Sequence, residues 1–255
     1  MNHTIVTIPC LSDNYAYLLR DSASGATALI DAPEAAPIEA ELERRGWTLD
    51  QLWITHHHND HIGAVGALRD RFDCKVVGAA ADAHRLPPLD HAVGEGDTVS
   101  LGGLTADVID VSGHTVGHIA FHVPAAKAVF TADRLMALGC GRLFEGSAER
   151  MWQSLSKLAA LPLETEVYSG HEYTASNAKF ALSLDGSNPN LVARAAAITA
   201  ARAQGEPTVP ANLKDEIATN PFLRASNTAF KASLGMADAT DAEVFAEVRA
   251  RKDRF

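Results

Sequence analysis

At 255 residues, with 47% hydrophobic and 21% charged side chains, the chain has enough apolar content for one large domain or one domain with an appendage. No apolar run approaches the roughly 18 residues that span a bilayer, and a net charge of -10 disfavours nucleic acid, whose phosphates require a basic face. The widely spaced Cys10, Cys74 and Cys140 make no disulfide framework, and Met1-Asn2-His3-Thr4 lacks the basic-then-apolar pattern of a secretory signal, so a cytoplasmic protein without a membrane partner is expected.

Over the first two thirds, short strand-like runs alternate with helix-like segments, punctuated by Gly and Pro. Strands are expected at 4–8, 15–20 and 27–31, followed by a helix over 36–46 that stops at Gly46. A buried strand at 52–55, a helix over 63–72 and a strand at 75–78 come next. Strands at 104–110, 119–123 and 128–131, a helix over 150–160 and a strand at 166–169 complete this part. After His171 the pattern changes: residues 173–255 show no convincing strand, only amphipathic stretches such as 191–204 and 241–252, separated by the proline-bearing 206–210. The expected organisation is an α/β domain over 1–172 followed by a helical domain over 173–255.

Thr55-His56-His57-His58-Asn59-Asp60-His61 follows the apolar run Leu52-Trp53-Ile54, on the loop where a strand ends. His56, His58, Asp60 and His61 are all donors to first-row metals. His56 and His58 alternate by two on an extended segment, so their rings point the same way, whereas His57 points off that face. Asp60 and His61 lie where the chain turns into a helix and can serve a neighbouring ion about 3.5–4 Å away, the usual separation in two-metal sites. His114, in Ser112-Gly113-His114-Thr115-Val116-Gly117-His118, also lies just past a strand; His118 opens the next apolar run and is expected to pack. Asp133 and His171 each follow a strand, and a carboxylate such as Asp133 can bridge two ions or simply cap a turn. Convergence of four strand ends carries the inference of a metal site.

His56-x-His58-x-Asp60-His61 with His114, Asp133 and His171 resembles the metallo-β-lactamase superfamily. Over essentially the whole chain the closer resemblance is to the hydroxyacylglutathione hydrolase (glyoxalase II) family, carried by Leu11-Ser12-Asp13-Asn14-Tyr15, Gly139-Cys140-Gly141-Arg142-Leu143-Phe144-Glu145-Gly146, Gly170-His171-Glu172-Tyr173-Thr174, Asn220-Pro221-Phe222-Leu223-Arg224 and Arg249-Ala250-Arg251-Lys252-Asp253. The resemblance implies an α/β fold, an αββα sandwich, with a C-terminal helical domain. It also implies two divalent metal ions per chain, one held by His56, His58 and His114, the other by Asp60, His61 and His171, with Asp133 bridging. Nitrogen and carboxylate donors without thiolate fit zinc, iron or manganese and do not decide among them; zinc is the first expectation, with iron or manganese as alternatives. The implied reaction is hydrolysis of the S-lactoylglutathione thioester by a metal-activated hydroxide, with Asp60 orienting the nucleophile and a thiolate leaving without a strong general acid.

The glutathione moiety is anionic and the chain carries charge -10, so a local cationic patch must act within a Debye length of about 8 Å. From the residues alone, Arg249, Arg251, Lys252 and Arg254 suit a solvated helix end. The resemblance makes Arg249 and Lys252 substrate ligands, together with Arg142, Tyr173 and Phe144, the last standing where some family members carry Tyr. A small-molecule thioester is thus the expected partner of a monomer. Two rival readings are a persulfide dioxygenase of the same superfamily, which would leave the second-position donors unused, and a structural metal module, which would close its coordination with four ligands.

Overall fold

The computed structural model describes residues 2–255. The chain divides into two compact units, one running through Val111 and taking up Thr115–Ala132, the other made of Ser112–His114 and Asp133–Phe255.

The first unit contains, in order, β1 (His3–Cys10), β2 (Asn14–Asp21), β3 (Thr27–Ile30), α1 (Ala35–Arg45), β4 (Gln51–Trp53), α2 (Asn59–Ile62), α3 (Val65–Phe72), β5 (Lys75–Ala79), β6 (His91–Val93), β7 (Thr98–Leu101), β8 (Leu104–Asp110), β9 (Ile119–Val123) and β10 (Ala128–Ala132). Strands β1 to β6 form one sheet in chain order, antiparallel through β3 and parallel thereafter. Antiparallel β7, β8, β9 and β10 lie side by side as the second. Because side chains alternate along a strand, Leu52 joins a core with Ile38 and Leu42 of α1 and Val65 and Leu68 of α3, while its neighbour Trp53 faces the opposite sheet. There the Trp53 ring lies 5.1 Å from Phe121, and Tyr17 lies 5.7 Å from Phe130, which stacks the two sheets face to face.

The helix expected over 63–72 is found as α3, which starts two residues later at Val65, and the separate short α2 precedes it. Gly63 lies so close to neighbouring backbone that a Cβ would stand 2.9 Å from the Asn59 carbonyl and 3.1 Å from that of Pro33. The Ala64 N–H donates to the Ala32 carbonyl instead of continuing a helix. Strands β6 and β7, of three and four residues, add to those expected from the sequence.

The second unit contains β11 (Leu135–Met136), β12 (Gly139–Cys140), α4 (Ala148–Ala159), β13 (Glu166–Ser169), α5 (Thr174–Asp185), α6 (Pro189–Ala203), β14 (Ala211–Asn212), α7 (Leu213–Thr219), α8 (Thr228–Ser233) and α9 (Asp241–Arg254). The tail is helical as expected, with one correction: β14 pairs antiparallel with β13, Val167 opposite Ala211, and its two residues are too few to alternate visibly. Phe222 lies between Phe180 and Phe245, at 6.2 and 5.8 Å, which ties α5 to α9. Helix α9 begins at a capping box in which Thr240 and Glu243 exchange hydrogen bonds.

Candidate active site

In the first unit the donors follow the end of β4. His56 is fully buried, and its Nε2 lies 3.1 Å from Nδ1 of His58, which holds an extended conformation as the N-cap of α2. Two nitrogens bound at about 2.0–2.1 Å to one tetrahedral ion stand roughly 3.3 Å apart, so this spacing suits a shared cation. One turn on, His61 Nε2 lies 3.5 Å from Asp60 Oδ2. The opposite side of the His61 ring is fixed, because Nδ1–H donates to Asp31 at 2.8 Å. Asp31 also accepts from the Thr55 N–H at 2.9 Å and the Thr55 hydroxyl at 2.8 Å, and that hydroxyl lies 3.0 Å from His56 Nδ1. Asp31 takes a φ of 57°, a left-handed conformation that Asp tolerates better than most side chains.

Two orienting residues here escaped sequence reasoning. Asp31 ends the expected third strand without any motif to mark it. Asn14 donates to both the carboxylate and the carbonyl of Asp60, at 3.0 and 3.1 Å, across 46 residues of chain. His57 turns its Nδ1 to buried Asp82 at 2.8 Å, while its ring centre stays 5.0 Å from that of His58. His118 packs as expected, its ring 4.6 Å from that of His56.

In the second unit, Asp133 lies between two imidazoles. Its Oδ2 is 3.3 Å from His114 Nε2 and its Oδ1 is 3.2 Å from His171 Nε2. His114 Nδ1–H donates to the Arg142 carbonyl at 2.8 Å, so in the neutral ring Nε2 carries a lone pair aimed at a carboxylate oxygen. Two acceptors facing each other at that distance repel unless a proton or a metal ion lies between them, and the His61–Asp60 pair has the same arrangement. The donor chemistry of each half therefore fits divalent metal. Backbone geometry keeps the Asp133 group tight: a Cβ on Gly141 would stand 2.0 Å from the Asp133 carbonyl, and Ala132 takes a φ of 42°.

The substrate residues expected from sequence divide into two groups. Exposed Phe144 places its ring 5.1 Å from that of His114, and Tyr173 stacks at 4.7 Å, nearly parallel, on His171, so both aromatic rings flank candidate metal donors. The Arg142 side chain is exposed, while its carbonyl holds His114. Lys252 extends over the Phe180 ring with Nζ 3.4 Å from the Ser176 carbonyl in the first turn of α5, and burial with the nearby Arg249 charge pushes its pKa down. Arg249 is buried and internally bonded, to Asp253 at 2.8 Å and to the Cys140 carbonyl at 3.1 Å.

Residues 12–171 match the model of the metallo-beta-lactamase superfamily, and residues 172–255 match that of the hydroxyacylglutathione hydrolase C-terminus. A protein of Ruegeria pomeroyi named hydroxyacylglutathione hydrolase is 66% identical over 98% of both chains. The chain belongs to the hydroxyacylglutathione hydrolase family. Its fold is accordingly a metallo-β-lactamase domain with the helical C-terminal domain of that family. Among solved structures, ETHE1 from Myxococcus xanthus superposes with a TM-score of 0.69 at 27% identity, covering 98% of this chain and 90% of that one. TTHA1623, solved in a di-iron-bound form, superposes with a TM-score of 0.57 at 28% identity over 66% of this chain and 91% of its own. The family fold with these His and Asp donors fits a binuclear divalent metal site.

Proposed function

We propose that this protein hydrolyses the thioester of S-2-hydroxyacylglutathione, S-lactoylglutathione foremost, to glutathione and a 2-hydroxy acid such as D-lactate, the second step of methylglyoxal detoxification. Whole-chain identity of 66% to a protein named hydroxyacylglutathione hydrolase carries this reading. The donors support it: His56, His58 and His114 would hold one ion, Asp60, His61 and His171 the other, and Asp133 both, since its two oxygens face different imidazoles. Two divalent ions, zinc first and iron or manganese as alternatives, would supply Lewis acidity and lower the pKa of water from 15.7 to about 7.

Asp60, its carboxylate steadied by Asn14, would act as the catalytic residue that orients the attacking water. The departing thiol has an ordinary pKa of about 8.5, so the chain need not provide a strong acid for it. Phe144 and Tyr173 would pack against the substrate beside the metal donors, and Arg142 and Lys252 would hold the glutathione carboxylates, with buried Arg249 adding its charge beside Lys252. Residues 1–172 then form the catalytic domain and 173–255 the substrate-binding domain. The protein would act as a cytoplasmic monomer; its charge of -10 argues against nucleic acid, and among the described residues no helix is long and apolar enough to cross a membrane.

Incubating purified protein with S-lactoylglutathione while trapping free thiol, alongside elemental analysis, tests the assignment. Turnover with close to two metals per chain is expected. Full metal occupancy without thiol release would sink it.

A further inference from the structure

Between Asp133 and Arg142 the chain makes a tight hairpin, in which β11 and β12 pair Leu135 with Cys140 and Met136 with Gly139. Leu138 at its tip takes a φ of 56°, and the hairpin is buried throughout. A turn removed from water must find partners for its backbone polar groups. Here side chains of the helices provide them. Asn177 of α5 donates to the Ala137 carbonyl at 3.1 Å. Glu216 of α7 accepts the Leu138 N–H at 2.9 Å. Asn220, just after α7, presents its Nδ2 to the Met136 carbonyl at 3.2 Å and the Gly139 carbonyl at 3.0 Å.

These holding groups are themselves held. Glu216 and Asn220 are both 0% exposed. The Asn220 amide is fixed in orientation because its oxygen accepts the Phe222 N–H at 3.0 Å and its nitrogen also donates to Glu216 at 2.8 Å. The second Glu216 oxygen receives Arg194, which compensates the buried carboxylate. Both ends of the hairpin carry the proposed chemistry: Asp133 precedes it, and the Arg142 carbonyl that orients His114 follows it.

We infer that Glu216 and Asn220 are positioning residues for the metal centre, setting the Asp133 carboxylate and the Arg142 carbonyl through the hairpin that joins them. The helical segment would thereby tune metal affinity in addition to contacting substrate. This rests on the binuclear reading above, and the test separates the two.

Metal-depleted full-length chains are titrated with zinc against a chromophoric chelator, in parallel with urea unfolding. Asn220→Ala should weaken zinc binding by about tenfold or more, and Asn177→Ala, which removes one hairpin bond, by a smaller factor of about threefold. Asn227→Ala serves as a control, since it removes the N-cap of α8 without touching the hairpin; it should lower the urea midpoint and leave zinc affinity alone. If Asn220→Ala fails to fold, Asn177→Ala decides. Zinc affinities of the folded hairpin variants within about twofold of the parent, with only stability reduced, would overturn the inference and leave the functional reading standing. A parent chain that takes up none of zinc, iron or manganese overturns both.

Discussion

Replacing Asp31 by Asn tests whether one buried carboxylate sets the histidine geometry of the first unit. Asn fills the same volume and tolerates the left-handed φ of 57°, so the backbone should be preserved. The carboxylate accepts three hydrogen bonds, from the Thr55 N–H at 2.9 Å and from the Thr55 hydroxyl and His61 Nδ1 at 2.8 Å each. An amide cannot accept at both ends. If its oxygen stays with the Thr55 N–H, its NH2 faces His61 Nδ1. The ring must then accept there and carry its proton on Nε2, where the lone pair is needed, 3.5 Å from Asp60. If the amide turns over, the buried Thr55 N–H loses its acceptor, at a cost of about 1–3 kcal/mol. The first outcome should reduce metal affinity by about 10–100-fold, equivalent to roughly 1.4–2.8 kcal/mol. Chelator competition reads the first effect, and thermal unfolding of the metal-free chain reads the second. Parental metal affinity together with an unchanged melting temperature would refute the role given to Asp31.

Lys252→Ala should raise KM by about tenfold with little change in kcat, as expected for uniform substrate binding, whereas Arg249→Ala, which also releases the Cys140 carbonyl, should lower kcat and metal content as well; identical profiles for the two would contradict this. Gly141→Ala forces a Cβ to within 2.0 Å of the Asp133 carbonyl, so metal content should drop and stability should fall by about 1–3 kcal/mol in urea unfolding. Burial raises the pKa of all three thiols, Cys10 to about 12, so none should react with an alkylating reagent at about pH 8 until the chain is unfolded. A raised folded-state pKa stabilises below the unfolded value and is lost upward, so stability should decline as pH rises from about 9 toward 12; a rise across that range would contradict the assignment.

Much of the first unit was legible because its signals are local. Strand β4 overlaps the apolar run Leu52-Trp53-Ile54, and the His56-x-His58 alternation directly sets two nitrogens 3.1 Å apart. What escaped depends on partners distant in sequence. Asn14 serves Asp60 across 46 residues, and Glu216 serves Leu138 across 78, with nothing in either neighbourhood to announce the bond. Helix α5 lacks a marked apolar stripe, because its buried Thr174, Asn177, Ala178, Phe180 and Ala181 mix polar and apolar types. Arg249 was legible as a cation at a helix end; its burial and its bond to Cys140 follow only from packing.

The hairpin grip also imposes an order of events on a chain leaving the ribosome. Asn220 follows Met136 by 84 residues, which at about 5–20 residues per second takes roughly 4–17 s to synthesise. Throughout that interval Asp133, His114 and the hairpin exist without the side chains that satisfy the turn, whose buried form is disfavoured until then. Capture of metal by this half of the donors should therefore follow completion of α7, so that a nascent chain stalled before Asn220 would carry the ligand residues yet bind metal poorly.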